Sequence, residues 1–276
     1  MKTALVLFVV GVLGMTLACS NSPSIQPGSP AFFWAVAQES YRTGDVTKAN
    51  NTLCELAHAE NPFQARARVW HLVLSAGLSR GYSELADAYD AGATMNLTSP
   101  VRFHNAASNL RSLAASAALE FTQTLHETVK LSQDANIALS FPFPAGSAAE
   151  PDGLRKISDG IWIPDDQRDA LQAAMLQRGV LQAVADVMGS AGDTAKAKTA
   201  FQSPVVQVSR PAFLFRAAQL LYQESELYGP QRMDRPNRRA LLCQEALIAL
   251  QSIPETDDTK NLAAKIQATV KAISGS

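Results

Sequence analysis

Apolar residues recur at spacings of three and four along most of this chain, which is the spacing of an α-helix with one buried face. Val46, Ala49 and Leu53 follow it in one stretch, and the strong helix formers alanine and leucine are abundant throughout. We therefore predict an all-α fold. The predicted helices cover residues 31–43, 46–60, 63–78, 80–92, 100–131, 165–190, 194–202, 211–228, 237–252 and 257–273.

Capping residues mark where several of these helices begin. A side-chain oxygen before the first turn accepts a hydrogen bond from a free backbone N–H. Proline fits the first turn because its missing N–H would be unpaired there. The residues with these features are Ser29-Pro30, Asn61-Pro62, Ser99-Pro100, Asp45 and Asp193.

One short segment occurs twice, as TGDVTKAN at 43–50 and as AGDTAKAK at 191–198. In both copies glycine can end one helix, aspartate can cap the next, and alanine lets the two helices approach closely. This helix-turn-helix unit resembles the tetratricopeptide repeat. The resemblance is best over residues 29–62, with looser copies near 194–202 and 237–254. It implies stacked antiparallel helix pairs.

Residues 132–164 interrupt the helical pattern. Two prolines in the segment SFPFPAG exclude a helix there. Asp159-Gly160 stands between two short β-favouring runs, which is typical of a type I′ turn. We predict a small β-hairpin near residues 155–163, with Trp162 exposed.

The first 18 residues have the features of a secretion signal, with Lys2 followed by an apolar run too short for a permanent membrane span. Ala18 and Cys19 end this run in a pattern that resembles the lipobox of bacterial lipoproteins. The resemblance implies that Cys19 is acylated on sulfur, with palmitate for example, and becomes the new N-terminus. Ser20 resembles the pattern for sorting to the outer membrane, where the protein would face the periplasm. The alternative is a plain secretory signal cut nearby.

The segment SNSPSIQPGSP after Cys19 is rich in serine and proline and cannot bury apolar surface. Extended, it would span roughly 30 Å and hold a folded domain away from a membrane. The predicted regions are a signal peptide (1–18), a lipidated tether (19–30), an N-terminal helical repeat region (31–131), an irregular insertion (132–164) and a C-terminal helical repeat region (165–276).

Composition excludes some ligands. The formal net charge is −1, so nothing indicates nucleic acid binding. No metal-binding or cofactor motif occurs, and we predict neither a metal nor a cofactor. Cys54 and Cys243 can form a disulfide or pack as two small core residues; we prefer the second interpretation, although the sequence does not decide.

The segment GLSRG at 77–81 matches the nucleophile elbow of α/β-hydrolases, with Ser79 as the nucleophile. That motif needs a strand before the serine, whereas the preceding residues have helical spacing. The later histidines, His104 and His126, lie in a predicted long helix. We therefore predict that the protein is not an enzyme and that this segment is a turn between two helices.

Trp34, Gln38 and Tyr41 form one stripe on the first predicted helix. The corresponding positions in the tetratricopeptide family line the concave groove that receives peptides. Aromatic residues also dominate binding hot spots, so these three are candidate partner-binding residues. The alternative is that Trp34 merely covers the next helix.

Residues 65–120 give a second resemblance. They contain LVLSAGLSRGYSELADAY and resemble the helical lipoprotein component associated with tripartite periplasmic transporters. Our first expectation is a lipid-anchored scaffold that binds a protein partner in an envelope assembly. The second is a transporter-associated lipoprotein that binds a small hydrophobic ligand, and the third is a serine hydrolase at Ser79.

We predict that Cys19→Ala abolishes lipid attachment and leaves folding intact. Each buried methylene adds about 0.8 kcal/mol of membrane affinity, and stable anchoring takes two acyl chains. Labelled palmitate should therefore mark the wild type and not the variant, which should stay uncleaved at this site or become soluble. An unlabelled, soluble wild type would contradict the lipoprotein interpretation.

Overall fold

The computed structural model describes residues 26–131, 135–139, 151–188, 192–200, 206–230 and 232–275. Cys19, the predicted signal peptide and most of the tether lie outside these residues. The elements are α1 (Pro30–Arg42), α2 (Val46–His58), α3 (Gln64–Met95), α4 (Pro100–Leu131), β1 (Asn136–Leu139), α5 (Asp152–Ser158), α6 (Asp165–Val187), α7 (Thr194–Ala200), β2 (Val206–Ser209), α8 (Arg210–Ser225), a 3-10 turn (Glu226–Tyr228), α9 (Pro236–Gln251) and α10 (Asp257–Ser274). The all-α class is confirmed.

The repeated elbow is confirmed as a local structure. Gly44, between α1 and α2, and Gly192, before α7, both have positive φ angles, of 91° and 82°. The side chain of Asp45 accepts from the backbone N–H of Lys48, and Asp193 makes the same contact in the second copy, each at 3.0 Å. Among the described residues, the two copies therefore share the glycine conformation and the aspartate cap.

Helix α3 is the centre of the fold and packs against α2, α4, α5 and α6. Its 32 residues extend for about 48 Å. We expected two helices here, 63–78 and 80–92, joined by a turn at 77–81. That prediction is wrong, because α3 continues through the segment without a break.

The glycines of this segment serve a close helix crossing instead of a turn. A methyl group on Gly77 would lie 2.6 Å from Cα of Val180 on α6, and one on Gly81 would lie 2.8 Å from the carbonyl oxygen of Met175. On the facing helix, a methyl group on Gly179 would collide with the carbonyl oxygen of Gly77. Only glycine allows the two backbones to approach this closely.

The hairpin predicted near 155–163 is wrong. Residues 152–158 form α5, and Gly160, with φ of 80°, lies just beyond its end. The N–H of Ile161 donates to the carbonyl of Lys156, and that of Gly160 donates to Ile157, both at 2.9 Å. This is a Schellman motif. Asp-Gly fits it as well as a type I′ turn because both need a positive φ.

The sheet has two antiparallel strands, and it joins residues far apart in the sequence. Ile137 on β1 pairs with Val208 on β2, and both side chains are buried. The hydrophobic core likewise includes residues from α1 to α10. The N-terminal and C-terminal helical regions therefore share one core.

We predict that Gly77→Ala destabilises the protein. Alanine would normally stabilise a helix interior by about 1 kcal/mol relative to glycine. Here the added methyl must displace α6, and overpacking of this kind costs about 1–3 kcal/mol. Urea unfolding of the variant should show a net loss of stability.

The matched control is Gly275→Ala, after the end of α10. A methyl group there lies 3.5 Å from the nearest atom, which is ordinary contact. Its free energy of unfolding should stay within about 0.5 kcal/mol of the wild type. A Gly77→Ala protein as stable as this control would show that the crossing does not depend on glycine.

Candidate functional site

The three residues predicted to line a groove do not share one environment. The side chain of Trp34 is only 7% exposed and stacks on Phe63, with ring centroids 5.4 Å apart. Tyr41 is fully buried, and Gln38 is half-buried. A groove residue must be open to its ligand, so the groove prediction is wrong for Trp34 and Tyr41. Trp34 instead covers the beginning of α3.

Ser79 lies inside α3 and is fully buried. The strand-turn-helix geometry of a nucleophile elbow is therefore not present around it. Its hydroxyl donates a hydrogen bond to the carboxyl group of Glu224, at the end of α8. His104 lies beside Asp90 and His126 beside Glu245, each on another part of the surface.

A surface cleft of about 220 Å³, which we call the α3–α8 cleft, lies beside this buried contact. One wall is a face of α3 whose residues are three and four positions apart. The other wall is the end of α8 and the segment after it. The lining residues are Arg80, Ser83, Glu84, Asp87, Leu220, Gln223, Glu224, Glu226, Leu227 and Arg232.

Two ion pairs hold the α3 wall against α6. Arg80 lies 2.5 Å from a carboxylate oxygen of Asp186, and Arg178 lies 2.5 Å from one of Glu84. All four side chains are between 20% and 31% exposed, so water screens these pairs only in part. They flank the glycine crossing and fix the positions of the cleft residues.

The rim of the cleft is an ion cluster open to solvent. Asp87, whose side chain is 51% exposed, lies 3.1 Å from Arg232 and 3.6 Å from Arg111. Arg111 also pairs with Asp90. On the opposite side, Glu226 is exposed and pairs with Arg239, which lies on α9.

Glu224 is the buried acid of the cleft. Its burial raises the pKa to about 7, although the hydrogen bond from Ser79 and the charges of Arg80 and Arg232 act in the opposite direction. Desolvation dominates because a carboxylate loses most of its hydration energy when it is buried. Near neutral pH this group is therefore divided between its protonated and ionised forms.

Glu224 was not among the site residues predicted from the sequence, although one sequence pattern marks it as unusual. Leu214, Ala217, Leu221 and Glu224 follow the three-and-four spacing of the buried face of α8, and all four are buried. A carboxylate at the last position of an apolar stripe is unusual, because glutamate is rarely buried without a partner. Arg232 had no comparable signal, since it lies in an irregular segment.

A second surface feature lies where α3 turns into α4. The most exposed large apolar side chains of the described residues are those of Leu97 (91%), Val101 (67%), Met95 (65%) and Ile161 (54%). Ile161 joins the other three because the side-chain amide of Asn96 donates to the carbonyl of Gly160 at 2.8 Å. We call Met95, Leu97, Val101 and Ile161 the tip patch.

Trp162 directly follows Ile161 of the tip patch. It is half-buried, so the prediction that it is exposed is wrong. Its ring packs against Phe103 and Tyr89, with centroids 5.2 and 5.7 Å away. The guanidinium groups of Arg102 and Arg168 lie 3.8 and 4.7 Å from the ring centroid. Cation–π contacts at these distances hold two positive charges beside the apolar surface.

A buried polar network around Asn50 has a structural role. Asn50 donates to Glu120 at 2.8 Å, and its amide oxygen contacts the hydroxyl of Ser75 at 3.2 Å and the imidazole of His71 at 2.9 Å. Burial lowers the pKa of His71 to about 4, so it is neutral at physiological pH. This network joins α2, α3 and α4. Cys243, a free cysteine, is simply buried in the core.

In the part of the chain that the structure describes, no helix combines the length and apolar character that crossing a membrane requires. Comparison with protein-family models, curated proteins and solved structures found no match.

We predict that Glu224 lowers stability as pH rises from about 5 to about 7. An unfolded glutamate is already mostly ionised at pH 5, whereas the folded protein, in which the pKa of Glu224 is about 7, keeps the proton until the pH approaches 7. The stabilisation that comes from protonated Glu224 is complete below the pKa of the unfolded glutamate. It is lost as the pH rises through the pKa of the folded protein, a change of about 3 kcal/mol in the free energy of unfolding. Glu224→Gln should lack it and become more stable than the wild type at pH 8.

The measurement is urea unfolding at pH 5 and at pH 8. Glu226→Gln is the matched control, since that carboxylate is exposed and paired with Arg239. Its stability should change with pH as the wild type does. If Glu224→Gln keeps the full pH dependence of the wild type, another group is responsible.

Proposed function

We propose that this protein is a lipid-anchored helical scaffold that faces the periplasm and binds a protein partner through the tip patch. The supporting observation is that the four most exposed large apolar side chains of the described residues cluster at one end of the molecule. Single exposed apolar residues are common on soluble proteins, but a contiguous group of this kind is typical of an interaction site.

The position of the patch favours a protein over the anchoring membrane. Trp34 stacks on Phe63, which places the start of α1 beside the start of α3. From there α3 extends about 48 Å to Met95. A tether ending at Ser29 would therefore attach at the end of the molecule opposite the patch. On this proposal the patch points away from the lipid.

The chemistry beside the patch also suits a protein interface. Arginine and tryptophan are enriched in such interfaces, and here Arg102 and Arg168 are already oriented by contact with Trp162. Little side-chain entropy would be lost when a partner bound, because these groups are held in place beforehand.

The small-ligand alternative has one feature in its favour. A cavity lined mainly by apolar residues lies between α3, α4, α6 and α8, with Leu72, Phe121 and Phe213 among its lining side chains. Its volume is about 20 Å³, which is room for about one water molecule. A hydrophobic ligand would need these helices to separate, so we rank this function second.

We predict that a photo-crosslinking residue at Leu97 captures one protein partner. Leu97 should be replaced by p-benzoylphenylalanine in the full-length lipoprotein, and intact cells irradiated. A discrete crosslinked band should appear and should be lost when Val101→Asp is added, because a charge in the patch opposes apolar contact. The melting temperature should stay the same, since both side chains are exposed.

Ile248 is the matched control position. It is 39% exposed on α9 and lies close in sequence to Glu245, which contacts His126, far along α4 from Val101. The same crosslinker there should not capture the partner. Crosslinks from Leu97 to phospholipid alone would show that the patch meets a membrane, and no crosslink would reject the tip patch as the interface.

A further inference from the structure

The carboxylates around the α3–α8 cleft divide into paired groups and one exception. Glu84 and Asp186 are paired with Arg178 and Arg80, and the exposed Asp87 and Glu226 also have arginine partners. No described cationic side chain lies within ion-pair distance of Glu224, although the charges of Arg80 and Arg232 act on it from farther away. Its Oε2 atom accepts from Ser79, and no described group forms a hydrogen bond to its Oε1 atom.

A buried carboxyl group without a direct ion pair is a costly arrangement. The ionised form lacks the solvation it would have in water, so the group either takes up a proton or waits for a cation from outside. Replacing it by an apolar residue would complete the buried stripe of α8 formed by Leu214, Ala217 and Leu221. Because Glu224 also lines the α3–α8 cleft, a cation bound in that cleft would lie next to it.

The cleft has the room and the neighbouring groups for a small cation. Glu224 is 93% buried and is also one of the residues that line the cleft. Ser83 and Gln223 line the same space and offer oxygen atoms to the other N–H groups of an ammonium ion. Leu220 and Leu227 provide an apolar surface for an alkyl chain.

We propose that the α3–α8 cleft binds a small primary amine whose ammonium group pairs with Glu224 and whose alkyl chain lies against Leu220 and Leu227. This site is separate from the tip patch and does not depend on it. An anion is the weaker candidate, because it would have to displace Asp87 from Arg232 and would meet Glu224.

The surrounding charges are compatible with a cation. Two arginines and four acids line the cleft, and Arg80 is neutralised by Asp186 at 2.5 Å. No histidine lines it. The charged and titratable groups on the elements around Glu224 are Arg80, Glu84 and Asp87 on α3, Asp186 and Arg178 on α6, Arg111 on α4, Glu226 and Tyr228 on the 3-10 turn, Arg232, and Arg238, Arg239 and Cys243 on α9.

The amine must replace the proton of Glu224, so binding depends on pH. With a pKa of about 7, the carboxyl group is mostly protonated at pH 6 and mostly ionised at pH 8. An alkylamine resembles the side chain of lysine and stays protonated throughout this range. The affinity should therefore increase about tenfold from pH 6 to pH 8.

The test is isothermal titration calorimetry of the mature protein with three probes of similar shape. These are n-butylamine, n-butanol and n-butyrate. We expect butylamine alone to bind at pH 8, with about tenfold weaker binding at pH 6. Glu224→Gln should lose this binding, and Glu226→Gln, which removes a paired carboxylate of the same cleft, should retain it.

Proton release gives an independent measurement that needs no variant. At pH 7 each butylamine bound should release about half a proton, which appears as a dependence of the heat on the ionisation enthalpy of the buffer. Equal butylamine binding by Glu224→Gln, no binding by the wild type at pH 8, or binding without proton release would each overturn the proposal.

Discussion

The close contact between α3 and α6 is the constraint on which the rest of the structure depends. Gly77 and Gly81 face Gly179 at a distance that no larger residue permits. Since α3 also packs against α2, α4 and α5, its position relative to α6 sets the arrangement of the whole core. Two partly buried ion pairs flank the crossing and oppose rotation of one helix about the other.

The same segment explains how the cleft arises. Successive residues of an α-helix are about 100° apart, so Gly77 and Gly81 lie on one face and Ser79 lies roughly opposite them. The glycine face meets α6, which leaves Ser79 directed toward α8 and Glu224. A pentapeptide that matches a catalytic motif therefore has two structural roles, a helix crossing on one side and a buried hydrogen bond on the other.

Local signals were sufficient to predict most helices. The caps at Ser29, Asp45 and Asp193 accept the expected hydrogen bonds, because a cap depends only on residues within one turn. The continuity of α3 was not predictable in this way, since glycines that break a helix and glycines that let two helices touch look alike in sequence. The partner that decides between them, Gly179, lies about a hundred residues away.

The wrong predictions of a hairpin near residues 155–163 and of a groove at Trp34 have similar causes. Asp159-Gly160 fits two kinds of turn, and the deciding fact is that Ile157 and Leu154 bury one face of a helix. An aromatic residue such as Trp34 fits a binding surface or a core equally well by composition. Its contact with Phe63 decides between these two environments, and that contact depends on how α1 is placed against α3.

Two features of the chain depart, in opposite directions, from the usual distribution of apolar and charged residues. Leu97 is 91% exposed and so gains almost nothing from burial, while Glu224 is a carboxyl group buried at the end of an apolar stripe, where its desolvation is costly. Natural sequences are locally consistent with their folds except where function requires otherwise. For this reason the exposed leucine and the buried glutamate are the residues on which the two proposed binding sites are based.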